Sequence, residues 1–194
     1  MPRVNLRLIT GEDLELLLAW AWIPGIWEYM PTSRRGEGLT WESHYNWWYR
    51  KANRIDWMIL VDDEITGERA VGVVHVILNT DFPEVGLYLG EIPLWGKGIG
   101  REALKLVILR LLSHPGLLGH PELLGLDRRI LRAVIHPKNG KAIRLFTGLG
   151  FKRIGKARKE QDLYELDLST TNRPEAAVPM YQVGDGFGYQ PCPP

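Results

Sequence analysis

The 194-residue chain contains a single cysteine, Cys192, which lies among prolines near the end of the sequence. One thiol cannot build an intrachain disulfide framework or a multi-cysteine metal site, so the composition favours a reducing compartment. No uninterrupted apolar run approaches the roughly 18 residues of a membrane-spanning helix. We therefore expect a cytoplasmic protein with no membrane partner.

The chain also lacks a strong net charge, because 24 lysines and arginines nearly balance 23 aspartates and glutamates. A formal charge of +1 creates no long-range field that would attract a polyanion, so we expect no nucleic-acid partner. The five histidines show no metal-ligand spacing, and we expect no metal. We interpret each histidine as structural or superficial, and only His44 has neighbours that make it worth testing.

With 45% hydrophobic residues, the chain can bury one substantial core. We predict a single domain over residues 1–168. From Ser169 the composition shifts to proline, glycine, glutamine and aromatic residues without periodicity, which predicts a separate tail at 169–194.

Three glycines, Gly96, Gly98 and Gly100, occupy alternate positions immediately before the apolar helical run 104–109. Glycines let the main chain approach a ligand closely, and the following helix directs its partially positive end at the same place. The pattern predicts a phosphate cradle and therefore a cofactor that carries a pyrophosphate.

Two known glycine motifs fit this segment poorly. A Walker loop requires a hydroxyl residue after its lysine, whereas Lys97 is followed by Gly98. A dinucleotide fingerprint requires a tight turn after the strand and an acidic residue about twenty positions later, where this chain has the loop 115–121. A dinucleotide oxidoreductase is thus the weaker alternative.

Two segments together resemble the GCN5-related N-acetyltransferases (GNAT). Residues 95–100 are similar to the signature Arg/Gln-x-x-Gly-x-Gly/Ala, although Trp95 replaces the usual Arg or Gln. About forty residues later, 139–151 resemble Asn-x-x-Ala-x-x-Leu-Tyr/Phe-x-x-Leu-Gly-Phe. The resemblance covers residues 4–168 and implies an α/β (α+β) fold. Its sheet would be mixed, mostly antiparallel and twisted, with about six to seven strands, flanking helices and a splayed strand pair that binds acetyl-CoA.

The resemblance also implies which residues contact acetyl-CoA and which perform the chemistry. The implied cofactor contacts are Tyr88, Leu89 and Gly90 on the splayed strand, Gly96, Lys97, Gly98, Ile99, Gly100 and Arg101 in the cradle, and Asn139 and Phe146 in the second motif. A main-chain N–H near Leu89 is expected to polarise the thioester carbonyl. Glu84, thirteen positions before Lys97, is expected to accept the proton of the attacking amine.

The second motif departs from the family at Phe146, where a tyrosine commonly protonates the departing thiolate. A phenyl ring cannot donate this proton, and Tyr88 and Tyr164 are the available substitutes. A thiol with a pKa of about 8.5 is already a tolerable leaving group, so the loss would slow transfer rather than abolish it. A CoA-binding module without catalysis is the alternative of another class.

The acceptor is expected to be a small-molecule amine, and a homodimer is left open. Seven of the eight tryptophans precede residue 58, and the segments 41–48 and 54–59 resemble acetyltransferases of nucleotide-linked amino sugars in pseudaminic-acid biosynthesis. The N-terminal pattern is shared with ribosomal-protein N-terminal and aminoglycoside 6′-acetyltransferases. As core residues we expect Trp41, Trp48 and Trp57.

Hydrophobic periodicity and cap signals predict the secondary structure. The predicted strands are 4–9, 57–61, 71–78, 85–89, 130–136, 151–157 and 163–168, and the predicted helices are 13–22, 41–52, 98–113 and 139–149.

Overall fold

The computed structural model describes residues 3–29, 39–50, 53–63, 65, 67–78, 82–113, 130–157 and 160–170. The predicted long connection at 114–127, with His114 and His120, lies outside the described residues. So does the predicted tail beyond residue 170.

Seven strands form one sheet, in the order β1-β2-β3-β4-β5-β7-β6. The strands are β1 (Val4–Leu8), β2 (Arg54–Asp63), β3 (Gly67–Ile77), β4 (Glu84–Leu89), β5 (Ile130–Ile135), β6 (Lys152–Lys156) and β7 (Asp162–Asp167). Neighbouring strands are antiparallel except for β4 and β5, which are parallel. The predicted mixed, mostly antiparallel sheet is confirmed.

In the described part of the chain, five helices flank this sheet: α1 (Leu14–Ala21), α2 (Pro24–Trp27), α3 (Trp41–Arg50), α4 (Ile99–Ser113) and α5 (Gly140–Thr147). A capping box precedes α1, in which the Asp13 carboxylate accepts from the Thr10 N–H at 2.8 Å. The same carboxylate accepts from both Arg7 Nη atoms at 2.6 and 2.7 Å. The end of the second motif behaves as predicted. Gly150 has φ +94° and leads the chain from α5 into Phe151 and β6.

The core lies on both faces of the sheet. One face packs on α4 and α5 through a large apolar cluster that includes Leu104, Val107 and Phe146. The other face packs on α1 and α2 through a smaller cluster. The side chains of β4 alternate between these two faces. Its odd-numbered residues point to the first cluster, and its even-numbered residues point to the second.

Two sequence-based expectations about packing differ from the structure. Trp57 is buried as expected and Trp48 is half-buried, but Trp41 is 49% exposed, so its assignment to the core was wrong. Its helix, α3, turns that indole to solvent. Strand β2 begins at Arg54 rather than 57, and β3 begins at Gly67 rather than 71, because the polar residues before each apolar run still pair across the sheet.

Within the described residues, no helix combines the length and apolar character needed to cross a membrane.

Candidate active site

The sheet splits between β4 and β5. The two strands pair only at Glu84 and Arg132, and the Arg132 N–H donates to the Pro83 carbonyl at 2.8 Å. Beyond this point the Gly90 N–H donates to Val71 on β3. Because main-chain groups alternate along an antiparallel ladder, those of Leu87 and Leu89 face the gap. The predicted splayed strand pair is confirmed, and its gap exposes main-chain donors to a ligand.

The glycine loop and the start of α4 form a cradle of main-chain N–H groups at the mouth of this gap. Gly96 and Gly98 have φ values of +79° and +84°, which glycine adopts readily. Among the described residues, nothing accepts from the N–H groups of Gly96, Gly98, Ile99 and Gly100. Four donors at the positive end of a 15-residue helix thus suit a bound anion.

The other two N–H groups of the predicted cradle point inward. Lys97 donates to the Leu94 carbonyl at 3.4 Å, and Arg101 donates to the Gly98 carbonyl at 3.0 Å. The Arg101 guanidinium also donates to the Gly148 carbonyl at 2.9 Å, which ties α4 to the end of α5. The cradle therefore has four available main-chain donors rather than six.

Trp95, which departs from the family signature, has a structural role here. Its indole N–H donates to the Leu89 carbonyl at 3.1 Å, so the side chain ties the glycine loop to the end of β4. The Lys141 ammonium lies 4.6 Å from the centroid of the same indole. Trp95 in place of the usual Arg or Gln thus removes one side-chain donor to a ligand. The Lys141 ammonium of α5 still places a positive charge beside the glycine loop.

A continuous cavity of about 1050 Å³ runs from the cradle through the gap to the face covered by α1, α2 and α3. The predicted site residues that line it are Glu84, Tyr88, Leu89, Gly96, Gly98, Gly100, Arg101, Asn139 and Phe146. Gly90, Lys97 and Ile99 are not among the lining residues. Gly90 packs against the Trp20 indole, Lys97 is exposed, and the Ile99 side chain belongs to the core.

The second motif presents an amide and a ring to the cavity. Asn139 Oδ1 accepts from the Ala142 N–H at 3.0 Å and so caps α5, which leaves the side-chain NH₂ as the donor for a ligand. Phe146 is 4% exposed and meets Phe151 edge to face at 5.0 Å. The ring thus joins the core packing while one edge borders the cavity.

The opposite end of the cavity is built from a row of residues across three strands. Asp56 on β2 lies opposite His75 on β3, which lies opposite Gly86 on β4. The His75 imidazole extends over β4, because a Cβ on Gly86 would lie 2.7 Å from His75 Nε2. Only glycine at position 86 allows this ring to reach the edge of the gap.

The Asp56 carboxylate is buried and held by a cation. Its Oδ1 lies 2.8 Å from Arg54 Nη2, and the Arg54 guanidinium carbon lies 5.5 Å from the centroid of the Trp47 ring. His44, which the sequence singled out, is buried, stacks on Trp47 at 5.7 Å and also lines the cavity. This end therefore combines aromatic walls with a neutralised carboxylate.

Glu84 lies where β4 and β5 part, two residues before Gly86 and on the same face of the sheet. Its neighbour across the parallel pair is Arg132. The Arg132 Nε atom lies 2.8 Å from Glu165 Oε1, and the guanidinium carbon lies 4.0 Å from the centroid of the Phe82 ring. Glu84 lines the cavity at the base of the gap.

Tyr88 lines the cavity, whereas Tyr164 is 3% exposed within the core and is not part of the lining. Burial, and then the nearby Asp56 carboxylate, raise the pKa of the Tyr88 phenol above its usual value, while Arg54 opposes them. The phenol therefore keeps its proton at neutral pH. Of the two tyrosines named from the sequence, Tyr88 alone has access to a bound ligand.

Sequence reasoning missed several lining residues, among them three with polar side chains on the strands or at their ends. His75 and His136 were expected to be structural or superficial, and Gln161 was not considered; all three face the cavity. Strand alternation gave one usable signal, because His136 continues the face of β5 opposite to its core residues. Among the described residues, no group of three or more His, Cys, Asp or Glu is placed to hold a metal ion.

Comparisons with known proteins agree with this architecture. A family model described as an acetyltransferase (GNAT) domain matches residues 3–152. An uncharacterised protein of Methanocaldococcus jannaschii is 40% identical over 167 residues, which make up 86% of this chain and 31% of the relative. The chain thus spans about a third of the length of the curated relative that it matches.

Solved structures give the same picture. The crystal structure of a domain from Methanocaldococcus jannaschii is 39% identical, has a TM-score of 0.72 and covers 86% of this chain and 99% of that chain. An aminoglycoside acetyltransferase in complex with coenzyme A and kanamycin has a TM-score of 0.60 at 19% identity, with coverages of 84% and 93%. Spermidine N-acetyltransferase from Vibrio cholerae, with CoA and spermine, has a TM-score of 0.60 at 17% identity, with coverages of 86% and 96%. The last two likenesses show the shared fold.

Proposed function

The chain belongs to the acetyltransferase (GNAT) domain family, and on that premise we propose that it transfers the acetyl group of acetyl-CoA to the primary amine of a small molecule, such as a nucleotide-linked amino sugar. The family membership confirms the resemblance carried by the two sequence motifs and supports the acyltransferase class. The observation that carries the proposal is the cradle of four unpaired N–H groups at the mouth of the gap.

The residues of the cradle suit the diphosphate of acetyl-CoA. Four N–H donors at a helix N-terminus favour an anion, and Arg101 and Lys141 add positive charge along the same cavity. When bound, acetyl-CoA supplies an activated thioester. The main chain of Leu87 and Leu89 faces the gap that would receive the pantetheine arm, and the Asn139 NH₂ group provides a further donor.

Three side chains and one main-chain group have proposed chemical roles. Glu84 accepts the proton of the acceptor ammonium, because only the neutral amine has a lone pair for attack. The Leu89 N–H stabilises the negative charge that develops on the carbonyl oxygen. Tyr88 donates a hydrogen bond that stabilises the departing thiolate, a role that Phe146 cannot fill, and the thiolate takes its proton from solvent. The aromatic Trp47 forms a wall for the acceptor.

The acceptor class is supported by the lining and by the structural neighbours. Two neighbours act on amines that carry hydroxyl or further amino groups, an aminoglycoside and spermidine by their names. Aromatic faces stack well on sugars and bases, which favours an amino sugar. Protein N-termini and aminoglycosides are the alternative acceptors.

A second candidate function is acyl-CoA binding without catalysis, which Phe146 favours because it removes the usual proton donor. Purified protein should gain thermal stability from acetyl-CoA but not from ATP or NAD. Thiol release with a panel of nucleotide amino sugars, aminoglycosides, polyamines and peptides then separates the two functions, and mass spectrometry should detect the acetylated amine. Stabilisation by acetyl-CoA without thiol release on any amine would favour the binding module. No stabilisation by any acyl-CoA would contradict both.

A further inference from the structure

Gln161 is a buried amide that the catalytic proposal does not use. The residue is 5% exposed, lines the cavity, and its Oε1 has no hydrogen-bond partner within the described structure. It immediately precedes β7, where its main-chain carbonyl accepts from the Ala157 N–H at 2.8 Å. The backbone is thus anchored while the side-chain carbonyl oxygen lacks a hydrogen-bond partner among the described residues.

The position of Gln161 in the sheet places it at the end of the cavity where the acceptor amine is proposed to bind. Ile135 on β5 pairs with Asp162 on β7, so the next residues outward, His136 and Gln161, are neighbours on the opposite face of the sheet. Tyr29, beside α2, lies over His136 with ring centroids 5.5 Å apart. These three residues form one wall of the cleft, and Glu84 and Tyr88 on β4 form the wall across the gap.

A buried amide without a partner is costly, because the folded protein loses the hydrogen bonds that water provides and gains nothing in return. A primary amide offers one acceptor and two donors. Since Gln161 lines a cavity rather than the packed core, a ligand group can supply the missing partner.

We infer that Gln161 is a specificity-determining residue that hydrogen-bonds a neutral polar group, a hydroxyl or amide, carried by the acceptor close to its amine. The inference rests on the proposed function and narrows it to polyhydroxylated amines. A polyamine would instead bring a second ammonium group to this wall, where none of the three side chains, Tyr29, His136 and Gln161, carries a negative charge to pair with it. The nearby Glu160 side chain is 88% exposed and faces His136, so it does not turn this wall into an anionic site.

The test compares Gln161→Leu with the wild-type protein on matched amines. Glucosamine and trans-2-aminocyclohexanol carry hydroxyls next to the amine, whereas cyclohexylamine and spermidine carry none. Titration calorimetry on the CoA-loaded protein measures binding of each amine, and thiol release measures turnover. We expect Gln161→Leu to weaken the binding of both hydroxylated amines about ten-fold. Cyclohexylamine, spermidine and acetyl-CoA should bind to Gln161→Leu with the same affinity as to the wild type.

Two control variants keep the outcomes distinct. Gln161→Asn retains the amide and should recover part of the binding. Asn5→Leu, on the distant strand β1, removes an amide that donates to Glu68 on β3 and should leave the binding of every amine unchanged. Equal losses for hydroxylated and plain amines, or a wild-type protein that binds neither hydroxylated amine, would overturn the inference. Turnover without dependence on Gln161 would leave the transferase proposal intact, whereas Gln161-dependent binding without turnover would contradict the transferase and support the subsite.

Discussion

The two ends of the cavity are built in different ways. The cradle end consists mainly of main-chain N–H groups that one short segment, 96–100, presents at the start of α4. The acceptor end consists of side chains from residues as distant in sequence as Tyr29, Asp56, His75, His136 and Gln161. A main-chain site depends on local backbone geometry, and a side-chain site depends on how the strands are aligned.

The charges of the two ends also differ. Around the cradle the lining includes Arg101, Lys138, Lys141 and Arg144, which suit an anionic cofactor. At the acceptor end the Asp56 carboxylate is compensated by Arg54, and Glu84 is the carboxylate proposed for proton transfer. In the proposed function, the cavity thus separates binding of the phosphates from chemistry on the amine.

The largest expected effect is at the acceptor end. Replacement Glu84→Gln should lower kcat/KM about 10²- to 10³-fold at neutral pH, because the amine loses its proton acceptor. The deficit should shrink as pH rises towards about 10.4, where alkylamines deprotonate unaided. Thiol-release kinetics across pH measure this, with acetyl-CoA affinity unchanged.

Glu91→Gln is the matched control, since Glu91 pairs with Arg69 at 3.3 Å and is not part of the cavity lining. If Glu84→Gln retained full activity at every pH while binding acetyl-CoA normally, the assignment of the proton acceptor would be wrong.

The cradle can be tested with two glycines of equal conformation. Gly96 and Gly67 both have φ +79°, and a Cβ on either would meet nothing within 4 Å. Alanine at each should cost a similar 1–2 kcal/mol, about the cost of a left-handed conformation. Only Gly96→Ala should also weaken acetyl-CoA binding, by about ten-fold, because relief of strain redirects the cradle N–H groups. Titration calorimetry measures the affinity of each variant for acetyl-CoA. Equal affinities in the two variants would contradict the assignment of the cradle as the binding site of the cofactor.

A smaller effect is expected where His75 crosses Gly86. Gly86→Ala would place a methyl group 2.7 Å from the His75 Nε2 atom, so the imidazole must move away from the gap. We expect KM for the amine to rise about five-fold, with acetyl-CoA affinity unchanged. Gly155→Ala, in β6 with open space around its Cβ, is the matched strand control. An unaltered KM in Gly86→Ala would show that the ring position does not matter to the acceptor.

The smallest effect concerns stability at high pH. Because burial raises the pKa of Tyr88, the folded state disfavours the phenolate. The stability that the neutral phenol provides is fully present below the unfolded pKa of about 10 and is lost as pH rises above it. The Tm of the wild type should therefore fall more steeply between about pH 9 and 11 than that of Tyr88→Phe. Parallel curves for the two proteins would contradict a buried, protonated Tyr88.

Particular residues show where sequence-based prediction succeeded and failed. The two motifs predicted the start of α4 and the glycine after α5, because cap and turn residues act within a few positions. The splayed sheet was implied by the family resemblance that the motifs carry. Strand β2 was predicted to begin at 57, since only the apolar run is periodic. The omitted residues include Arg54 and Asp56, which pair across to β3 and form the acceptor end.

The sequence by itself determined the family, the order of the strands and helices along the chain, and the main-chain cradle, because each depends on local motifs. Only the tertiary structure decided which side chains share the acceptor end. His75 reaches the gap because Gly86 is its neighbour across the sheet, and Gln161 meets the cavity because β7 lies beside β5. Strand register brings together residues that lie far apart in the chain, and no local pattern of residues encodes that alignment.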